Sequence, residues 1–523
     1  MAASWLKNAV FYEIYPQTFY DSNGDGIGDI QGIIEKLDYV KSLGCNALWL
    51  NPCFDSPFRD AGYDVRDYKK VAERYGTNED LEELFKVAHE KGIYVLLDLV
   101  PGHTSEEHEW FRESAKEEEN EYSGRYIWTD TAFSRGDGMP FIGGEAPRGG
   151  TYIINFFKSQ PALNYGYREI HEPAWQMPID APDALATREA MKDIMRFWLD
   201  KGCDGFRVDM ADSLVKNDGE DKLATMEVWK DIAGTIHEEY PNAALVSEWN
   251  KPMQSLSAGF DMDFYLDWRG NGYSVLLRDY DIPKFGKPFE KNNSYFSVDS
   301  ERDIHGFLRD YLHQYEGSKD KGLWCLITGN HDTVRVAPML DEAERRLAFA
   351  FLLTMPGAPF IYYGDEIGMR YRWIPTKEGG YQRTGSRTPM QWNHSDNLGF
   401  SAAAAEQLYL PVDPADDAPT VEEQEADPNS FLNHVKGLIQ LRGAYKDLGN
   451  YSPFSVYSAE YGSRLFAYKR GEPLVAVNPG RQLMELGLDT KYEIVYAIGE
   501  PVIYNRTLIM SAQSFAVLKP VEW

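Results

Sequence analysis

The stretch Asp204-Gly-Phe-Arg-Val-Asp-Met-Ala211 decides how the rest of the chain is interpreted. It is a short apolar run that ends on a carboxylate, Asp209, with Arg207 two residues earlier. In a β-strand, residues i and i+2 point to the same side, so these two side chains share a face. A cation beside a carboxylate lowers its pKa, which predicts an ionised Asp209. Such a carboxylate can attack a sugar carbon, although an ordinary surface ion pair after a strand is the alternative.

The size and composition of the chain fit a large folded protein. Its 523 residues are compatible with a barrel domain plus one or two smaller domains, and 43% of them are hydrophobic and 14% aromatic. The excess of 82 acidic over 53 basic residues gives a net charge of −29, which would repel nucleic acid and anionic membranes. Neutral substrates such as sugars remain compatible with this charge.

The cysteines and the N-terminus point to a reducing compartment. Cys45, Cys53, Cys203 and Cys325 are scattered without a Cys-x-x-Cys motif, which predicts buried free thiols. The first residues contain no apolar signal segment, and no run approaches the length of a membrane span. The expectation is a cytoplasmic protein with no membrane partner.

Short β-rich runs alternate with stretches of helical periodicity along most of the chain. The predicted strands are 9–15, 47–50, 94–100, 205–208, 244–246, 263–266, 323–328 and 359–362, and the predicted helices are 30–43, 81–91, 184–201, 228–240, 304–315, 342–355 and 429–442. Eight βα units predict a parallel sheet of the α/β class, most simply a (β/α)8 TIM barrel. A doubly wound sheet is the alternative, but no Gly-rich phosphate loop supports it.

Two interruptions divide this pattern into domains. Residues 104–175 are too long for a βα loop and predict a small inserted domain B after strand three. The barrel, domain A, then comprises 1–103 and 176–447, and its 370–430 excursion should fold over the barrel mouth. From 448 to 523, short strands with turn residues predict a C-terminal antiparallel β-sandwich, domain C.

Polar residues recur at the carboxyl ends of the predicted strands, where the active site of a (β/α)8 barrel lies. Strand three ends at Asp98 with His103 beyond it, strand four at Arg207 and Asp209, strand five at Glu248, and strand seven at Asn330-His331-Asp332. Each alone could be a cap or a salt bridge, but four coincident placements favour a catalytic site.

Cleavage of a glycosidic bond needs one charged and one protonated carboxyl group. Asp209 beside Arg207 is the candidate for the charged group. The apolar neighbour Trp249 favours a protonated Glu248 that acts as general acid. Asp332 could hold ring hydroxyls and stabilise positive charge in an oxocarbenium-like transition state.

With these residues in place, the chain resembles the α-amylase superfamily, glycoside hydrolase family 13, and within it the oligo-1,6-glucosidase, maltase and trehalose synthase branch. The matching motifs are Val10-Phe-Tyr-Glu-Ile-Tyr-Pro16, Asp21-Ser-Asn-Gly-Asp-Gly-Ile-Gly-Asp29, Gly62-Tyr-Asp64, Asp98-Leu-Val100 with His103, Gln160-Pro-Ala-Leu-Asn164, Gly205–Asp209, Glu248, Asn330-His-Asp332, Tyr363-Gly-Asp-Glu366, Arg387-Thr-Pro-Met-Gln-Trp392 and Asp427-Pro-Asn-Ser430.

The resemblance implies a role for each site residue. Asp209 would be the nucleophile, Glu248 the acid/base and Asp332 the transition-state stabiliser. The −1 sugar subsite would be lined by Tyr63, His103, Arg207 and His331. The implied mechanism retains the anomeric configuration, with the two catalytic carboxyls about 5–5.5 Å apart.

The stretch from Asp21 to Asp29 has the pattern of a cation loop. Asp21, Asn23, Asp25 and Asp29 place oxygens at alternate positions between three glycines, which suits Ca²⁺ or Mg²⁺. A turn without metal is the alternative. The resemblance favours a structural Ca²⁺ with the carbonyl of Ile27 as a further ligand.

Asp60 and Arg387 bear on where the substrate chain is cut. In the glucosidase branch, residues at these positions close the far wall of the −1 subsite. The resemblance therefore predicts an exo-acting α-glucosidase on maltooligosaccharides or related short α-glucans. An endo-acting α-amylase and a trehalose synthase-like transglycosylase use the same carboxylates and stay open.

Three positions depart from the family pattern. Gly102 stands where many amylases have a calcium-binding Asn, which puts a second calcium site in doubt. Ala162 and Met210 differ at positions where linkage preference is set, so the linkage stays open. A non-catalytic sugar-binding or transporter-associated relative is an alternative. It is remote because all three carboxylates are present.

Overall fold

The computed structural model describes residues 3–280, 292–337 and 339–521, and its centre is a closed barrel. The eight barrel strands are Phe11–Ile14, Ala47–Leu50, Tyr94–Leu99, Gly205–Val208, Ala244–Ser247, Met262–Tyr265, Leu323–Leu326 and Phe360–Tyr362. They are parallel neighbours in chain order, and strand one also pairs with strand eight. A bridge between Ile327 and Phe360 joins strands seven and eight. The predicted TIM barrel is confirmed.

Three barrel helices begin earlier than the hydrophobic periodicity predicts, two begin at the predicted residue, and two begin one or two residues later. They span Ile30–Leu43, Asn78–Glu90, Pro182–Asp200, Leu223–Glu239, His305–Ser318, Glu342–Thr354 and Phe431–Ala444, with single turns or short helices at Pro252–Ser255 and Gly272–Leu277. The helix predicted from residue 81 starts at Asn78 because Thr77 and Asp80 form a capping box. Such a polar first turn carries no hydrophobic periodicity, so the sequence pattern misses it.

Stacked aromatic rings fill the barrel interior below its mouth. Trp49 stacks on Phe264 with ring centroids 5.2 Å apart, and Phe360 stacks on Phe11 at 4.1 Å. Close packing of this kind holds side chains in single rotamers. It therefore gives the polar residues at the strand ends a rigid base.

The barrel carries additional elements on the two segments predicted as domains B and C. Residues 104–175 contain the helix Glu109–Ser114 and the hairpin Phe141–Gly143/Thr151–Ile153. The C-terminal strands are Phe454–Ala459, Phe466–Arg470, Leu474–Asn478, Met484–Gly487, Tyr492–Ile498, Val502–Tyr504, Thr507–Met510 and Ser514–Pro520, in antiparallel sheets of five and three strands. The antiparallel C-terminal architecture is confirmed, and the domain boundaries stay predictions.

Further short elements are the hairpin Phe54–Asp55/Asp67–Val71 and, within the 370–430 excursion, the turns Tyr381–Ser386, Asp396–Gly399 and Ala405–Gln407 and the helix Val421–Ala426.

All four cysteines are buried and free, as predicted. In the described ranges no helix combines the length and the apolar character needed to cross a lipid bilayer.

Candidate active site

A cavity of about 260 Å³ opens among the loops that follow the barrel strands. It is lined by Asp60, Tyr63, His103, Phe156, Asp209, Met210, Asp212, Glu248, Leu266, Trp268, Asp332 and Arg383. Six of the nine residues predicted for catalysis or sugar binding are in this lining. The other three, Arg207, His331 and Arg387, lie directly behind it, in contact with lining residues.

Arg207 is the charged centre of the site. Its Nη1 lies 2.8 Å from Asp98 Oδ1 and 3.1 Å from Asp209 Oδ1, and its Nη2 lies 2.8 Å from Glu248 Oε2. The side chain is only 1% exposed, so these contacts form away from water. One guanidinium therefore gathers three carboxyl groups, and it brings the predicted nucleophile and the predicted acid/base against the same cation.

The prediction that Arg207 holds the pKa of Asp209 low is wrong. Burial raises the pKa of Asp209 well above its usual range, and the nearby carboxylates of Glu248 and Asp98 raise it further. Arg207 opposes this shift, but its single charge is shared among three carboxyls. Burial likewise raises the pKa of Asp98 to about 6. Because these carboxyls share one cation, their titrations are coupled, as those of a nucleophile and acid pair are.

Glu248 is fixed by a backbone donor rather than by its neighbour Trp249. The N–H of Met210 donates to Glu248 Oε2 at 2.9 Å, from a residue held in the left-handed conformation at φ +41°. Trp249 instead donates from Nε1 to Gln254 and lies outside the cavity lining. Trp249 therefore does not form part of the cavity surface around Glu248.

A buried carboxylate on strand six holds the loop that follows Glu248. Asp263 accepts hydrogen bonds from Ser247 Oγ and from the backbone N–H groups of Trp249, Asn250 and Lys251, at 2.9 to 3.2 Å. Burial raises the pKa of Asp263 to about 7. Asp263 lies within the strand predicted at 263–266, and the sequence pattern alone does not distinguish a buried acid from a surface one. Asp263 therefore holds the Ser247 side chain before Glu248 and the backbone after it.

Asp332 has two arginine partners. Its Oδ1 lies 2.8 Å from Arg387 Nη2 and 3.1 Å from Arg383 Nη1. Burial alone would raise the pKa of Asp332, yet the net shift is downward because of its interactions with His331, Arg383 and Arg387. An ionised Asp332 suits a group that faces developing positive charge.

The far wall of the cavity differs from the predicted Asp60–Arg387 pair. Asp60 Oδ1 lies 3.2 Å from Arg383 Nη2, and Gln160 donates to Asp60 Oδ2 at 2.8 Å. Arg387 is directed instead to Asp332 and to the carbonyl of His331. Burial raises the pKa of Asp60 to about 6, and Arg383 opposes that shift. The wall is built by Asp60 and Arg383, with Arg387 behind.

Both predicted subsite histidines are neutral. His103 donates from Nε2 to the carbonyl of Tyr63, and burial lowers its pKa to about 4. Burial also lowers the pKa of His331 well below its usual value. His331 lies 2.9 Å from Glu13 Oε1 through Nδ1 and 2.7 Å from the Tyr63 hydroxyl through Nε2. The two imidazoles therefore take part in hydrogen bonds and add no positive charge to the cavity.

An ammonium group lies beside Gly102, where the sequence placed the second calcium site in doubt. Lys216 Nζ donates to Asn155 Oδ1 and to the carbonyl of Ser213, both at 2.9 Å. Asn155 in turn donates to the carbonyl of Gly102 at 2.8 Å. Burial lowers the pKa of Lys216 to about 8. The lysine thus joins the 104–175 segment to the loop after Asp209.

The predicted cation loop is closed by its own hydrogen bonds. Asp21 accepts from the N–H groups of Asn23, Gly24 and Gly26, Asn23 accepts from Asp25, and Asp25 accepts from Ile27. Asp29 caps the following helix. No cluster of three or more His, Cys, Asp or Glu side chains suited to a metal occurs within the described part of the chain. Calcium at this loop stays a prediction.

Five residues of the cavity lining were absent from the sequence analysis: Phe156, Asp212, Leu266, Trp268 and Arg383. Asp212 stands three residues after Asp209, Trp268 follows strand six, and Arg383 precedes Arg387 by one helical turn. Those spacings were available signals. Phe156 had none, because its place depends on how residues 104–175 fold over the barrel.

The comparisons with known proteins agree with this geometry. A family model described as the α-amylase catalytic domain matches residues 13–450. The chain is 35% identical over 503 residues to trehalose synthase/amylase TreS of Mycolicibacterium smegmatis, covering 86% of this chain and 79% of the relative. It is 32% identical over 504 residues to the oligo-1,6-glucosidase of Heyndrickxia coagulans, covering 84% and 85%.

Two solved structures superpose on this chain over nearly its whole length. The trehalulose synthase MutB from Pseudomonas mesoacidophila superposes with a TM-score of 0.80 at 25% identity, covering 99% of this chain and 100% of that one. An inactive double mutant of MutB in complex with isomaltulose gives the same values.

Proposed function

Because the chain belongs to the α-amylase family, glycoside hydrolase family 13, we propose that it is an exo-acting α-glucosidase that cleaves short α-glucosides from their non-reducing ends. It is a glycosidase with a retaining mechanism, the mechanism general to this family. The observation that carries the exo-acting assignment is the closed far wall, in which Asp60 and Asp332 are joined through Arg383. A cavity of about 260 Å³ lies just below the usual range for ligand sites, which favours a short substrate.

The proposed reaction has two steps. Asp209 attacks the anomeric carbon while Glu248 protonates the glycosidic oxygen, so that the aglycone leaves and a glucosyl ester forms on Asp209. Glu248, now ionised, takes a proton from water, which attacks the same carbon and releases glucose. Asp332 stabilises the positive charge that develops on the ring in both steps. Arg207 keeps the two reacting carboxyls together throughout.

Transglycosylation is the second candidate for the same site. It is supported by the likeness to proteins named trehalose synthase and by two aromatic rings at the cavity mouth, Phe156 and Trp268, which are 54% and 48% exposed. Exposed aromatic rings offer a stacking surface for an acceptor sugar. The acceptor of the glucosyl group then distinguishes the two reactions: water gives hydrolysis, and a sugar gives transglycosylation.

We also propose that the Asp21–Asp29 loop holds a structural Ca²⁺. The support is its mixed set of carboxylate, amide and carbonyl oxygens, which are the ligands that Ca²⁺ prefers, and the exposed position of Asp25. Such an ion would stabilise the loop before the first long helix. It has no place in the chemical steps. A cytoplasmic location stays a prediction.

A product time course tests the proposed function. The enzyme is incubated separately with maltose, maltotriose, isomaltose, trehalose, sucrose and soluble starch, with Asp209→Asn as the control. Early glucose from the short sugars with starch nearly untouched supports the exo-acting glucosidase and identifies the linkage. An isomeric disaccharide formed ahead of glucose supports transglycosylation. Early mixed oligosaccharides from starch would contradict the closed far wall.

A further inference from the structure

A buried carboxyl group lies behind the sugar cavity, on the inner face of the first barrel strand. Glu13 is the third residue of Phe11–Ile14 and points to the same side of the strand as Phe11. Its side chain is fully buried, and its Oε1 lies 2.9 Å from His331 Nδ1. Its Oε2 has no hydrogen-bond partner among the residues that the structure describes. No step of the proposed reaction uses this group.

The surroundings of His331 Nδ1 identify this nitrogen as a hydrogen-bond acceptor. The amide nitrogen of Asn51, which can only donate, lies 3.0 Å from it. Glu13 Oε1 contacts the same nitrogen, and a carboxyl group can donate there only when it is protonated. Burial raises the pKa of Glu13 well above its usual range, although Asn51 and the charge of Arg207 oppose the shift. A buried oxygen without a partner also costs an ionised carboxylate more than a neutral acid.

The other ring nitrogen of His331 continues the hydrogen bonds toward Arg207. A neutral imidazole carries one hydrogen, so an accepting Nδ1 leaves that hydrogen on Nε2. Nε2 lies 2.7 Å from the Tyr63 hydroxyl and can donate to its oxygen. The same hydroxyl donates to Asp98 Oδ2 at 3.0 Å, and Arg207 Nη1 donates to Asp98 Oδ1 at 2.8 Å. From Glu13 to Asp98, each group therefore donates one hydrogen to the next.

The members of this series are shielded from water. Glu13, His331, Tyr63, Asp98 and Arg207 are each at most 5% exposed. In such surroundings, two donors that face each other leave buried polar groups unpaired, and water cannot replace the lost partners. One direction of donation is therefore favoured along the whole series, and the group at its buried end determines which.

On the premise of the proposed glycosidase function, we propose that Glu13 is a positioning residue that holds His331 in the tautomer with its hydrogen on Nε2 and thereby orients the Tyr63 hydroxyl toward Asp98. Without a donor at position 13, the hydrogen of His331 can move to Nδ1. Nε2 would then accept from the Tyr63 hydroxyl, and the hydrogen bond from Tyr63 to Asp98 would be lost.

The reaction depends on this orientation through Asp98 and Arg207. Asp98 shares the guanidinium of Arg207 with the two reacting carboxyls, Asp209 and Glu248. A hydrogen bond from Tyr63 to Asp98 stabilises the ionised form of Asp98, which is the form that holds the guanidinium in place. Loss of that bond should therefore affect the chemical step more than the binding of substrate.

The test compares Glu13→Gln and Glu13→Leu with a matched control, Glu366→Leu. Glu366 is also fully buried and accepts from the hydroxyls of Tyr12 and Tyr39 at 2.7 and 2.6 Å, but it is outside the lining of the sugar cavity. Each variant is assayed for kcat and KM on 4-nitrophenyl α-glucoside, and its thermal unfolding is recorded.

The tautomer is measured directly by ¹⁵N NMR of protein labelled in its histidine rings, without substrate. His331 is one of ten histidines, so its signals are assigned by their loss in His331→Gln. We expect hydrogen on Nε2 alone in the wild type and in Glu13→Gln, whose amide group can also donate to Nδ1. These two spectra test the tautomer even where Glu13→Leu does not fold.

The kinetic expectation separates a positioning role from a structural one. In Glu13→Leu the hydrogen should move at least partly to Nδ1, and kcat should fall roughly 10- to 100-fold with a smaller change in KM. Glu13→Gln should keep most of the wild-type kcat. Glu366→Leu is expected to lose stability but to keep the wild-type kcat and the wild-type tautomer of His331.

Hydrogen on Nδ1, or on both ring nitrogens, of His331 in the wild type would overturn the inference. So would a Glu13→Leu enzyme with wild-type kcat, a Glu13→Gln enzyme as impaired as Glu13→Leu, or a loss of kcat that Glu366→Leu reproduces. Failure of the proposed function is a separate result, because the wild type would then release no nitrophenol while the tautomer of His331 could still be measured.

Discussion

Replacement of Arg207 by lysine is the most informative single perturbation of the site. The guanidinium contacts Asp98, Asp209 and Glu248 through two different nitrogens, at 2.8 to 3.1 Å. A lysine keeps the charge, but one ammonium cannot reproduce the planar fork, so at least one of the three contacts is lost. Each contact of this kind contributes about 1.5–3 kcal/mol, which corresponds to a fall of roughly 10- to 150-fold in kcat/KM.

The assay is hydrolysis of 4-nitrophenyl α-glucoside by Arg207→Lys across a range of pH, with thermal unfolding as the control for the fold. Arg207→Met is the harsher companion, because it leaves three buried carboxyls without a counter-charge and removes the interaction that opposes the upward pKa shift of Asp209. Its activity should require a higher pH than that of the wild type. An Arg207→Lys enzyme with unchanged kcat/KM and pH profile would refute the idea that one shared cation organises the two reacting carboxyls.

Other expected outcomes concern the surroundings of the site. Asp263→Ala removes the acceptor of three backbone N–H groups beside Glu248, so kcat should fall roughly 10- to 100-fold with a smaller change in KM, measured against Asp263→Asn, which keeps one oxygen acceptor. Burial lowers the pKa of Lys216 to about 8, so above pH 8 the unfolded state binds more protons than the folded state, and the stability of the wild type rises with pH relative to that of Lys216→Met. Urea unfolding of both proteins at pH 7 and pH 10 should show a larger difference in unfolding free energy at pH 10. An equal difference at the two pH values would contradict this expectation. Added Ca²⁺ should raise the melting temperature of chelator-treated protein but not of Asp25→Ala, and an equal response of the two would remove the proposed ion from this loop.

The barrel was predictable from the sequence because burial on both faces gives parallel strands continuous apolar runs. The strands predicted at 47–50 and 205–208 match Ala47–Leu50 and Gly205–Val208. The starts of helices were less predictable, since the first turn of Asn78–Glu90 is polar and stabilised by a capping box rather than by burial. The hydrophobic pattern of a sequence indicates which residues are buried, but it does not locate a helix start that is determined by hydrogen bonds.

The site was predictable where a residue ends a barrel strand, because the fold brings strand ends together regardless of the loops. Asp209, Glu248 and Asp332 all reach the cavity for this reason. The upward direction of the Asp209 pKa shift was not predictable, because it depends on burial and on how many carboxyls share Arg207. The spacing of Arg383 from Arg387 was visible in the sequence, but its contact with Asp60 was not, since that contact requires a distant excursion to approach Asp60. Contacts and pKa shifts that depend on several residues distant in the sequence cannot be inferred from residues that are adjacent in it.

The central claim, that Asp209 forms a covalent glucosyl intermediate with Glu248 as acid/base, is tested most directly by trapping that intermediate. Glu248→Gln is incubated with α-glucosyl fluoride, whose leaving group needs little acid assistance, and the quenched protein is digested and mapped by mass spectrometry. We expect one added hexose on the peptide that contains Asp209, and none in the Asp209→Asn, Glu248→Gln double variant. A hexose on another carboxylate, or turnover with inverted configuration and no adduct, would contradict the account.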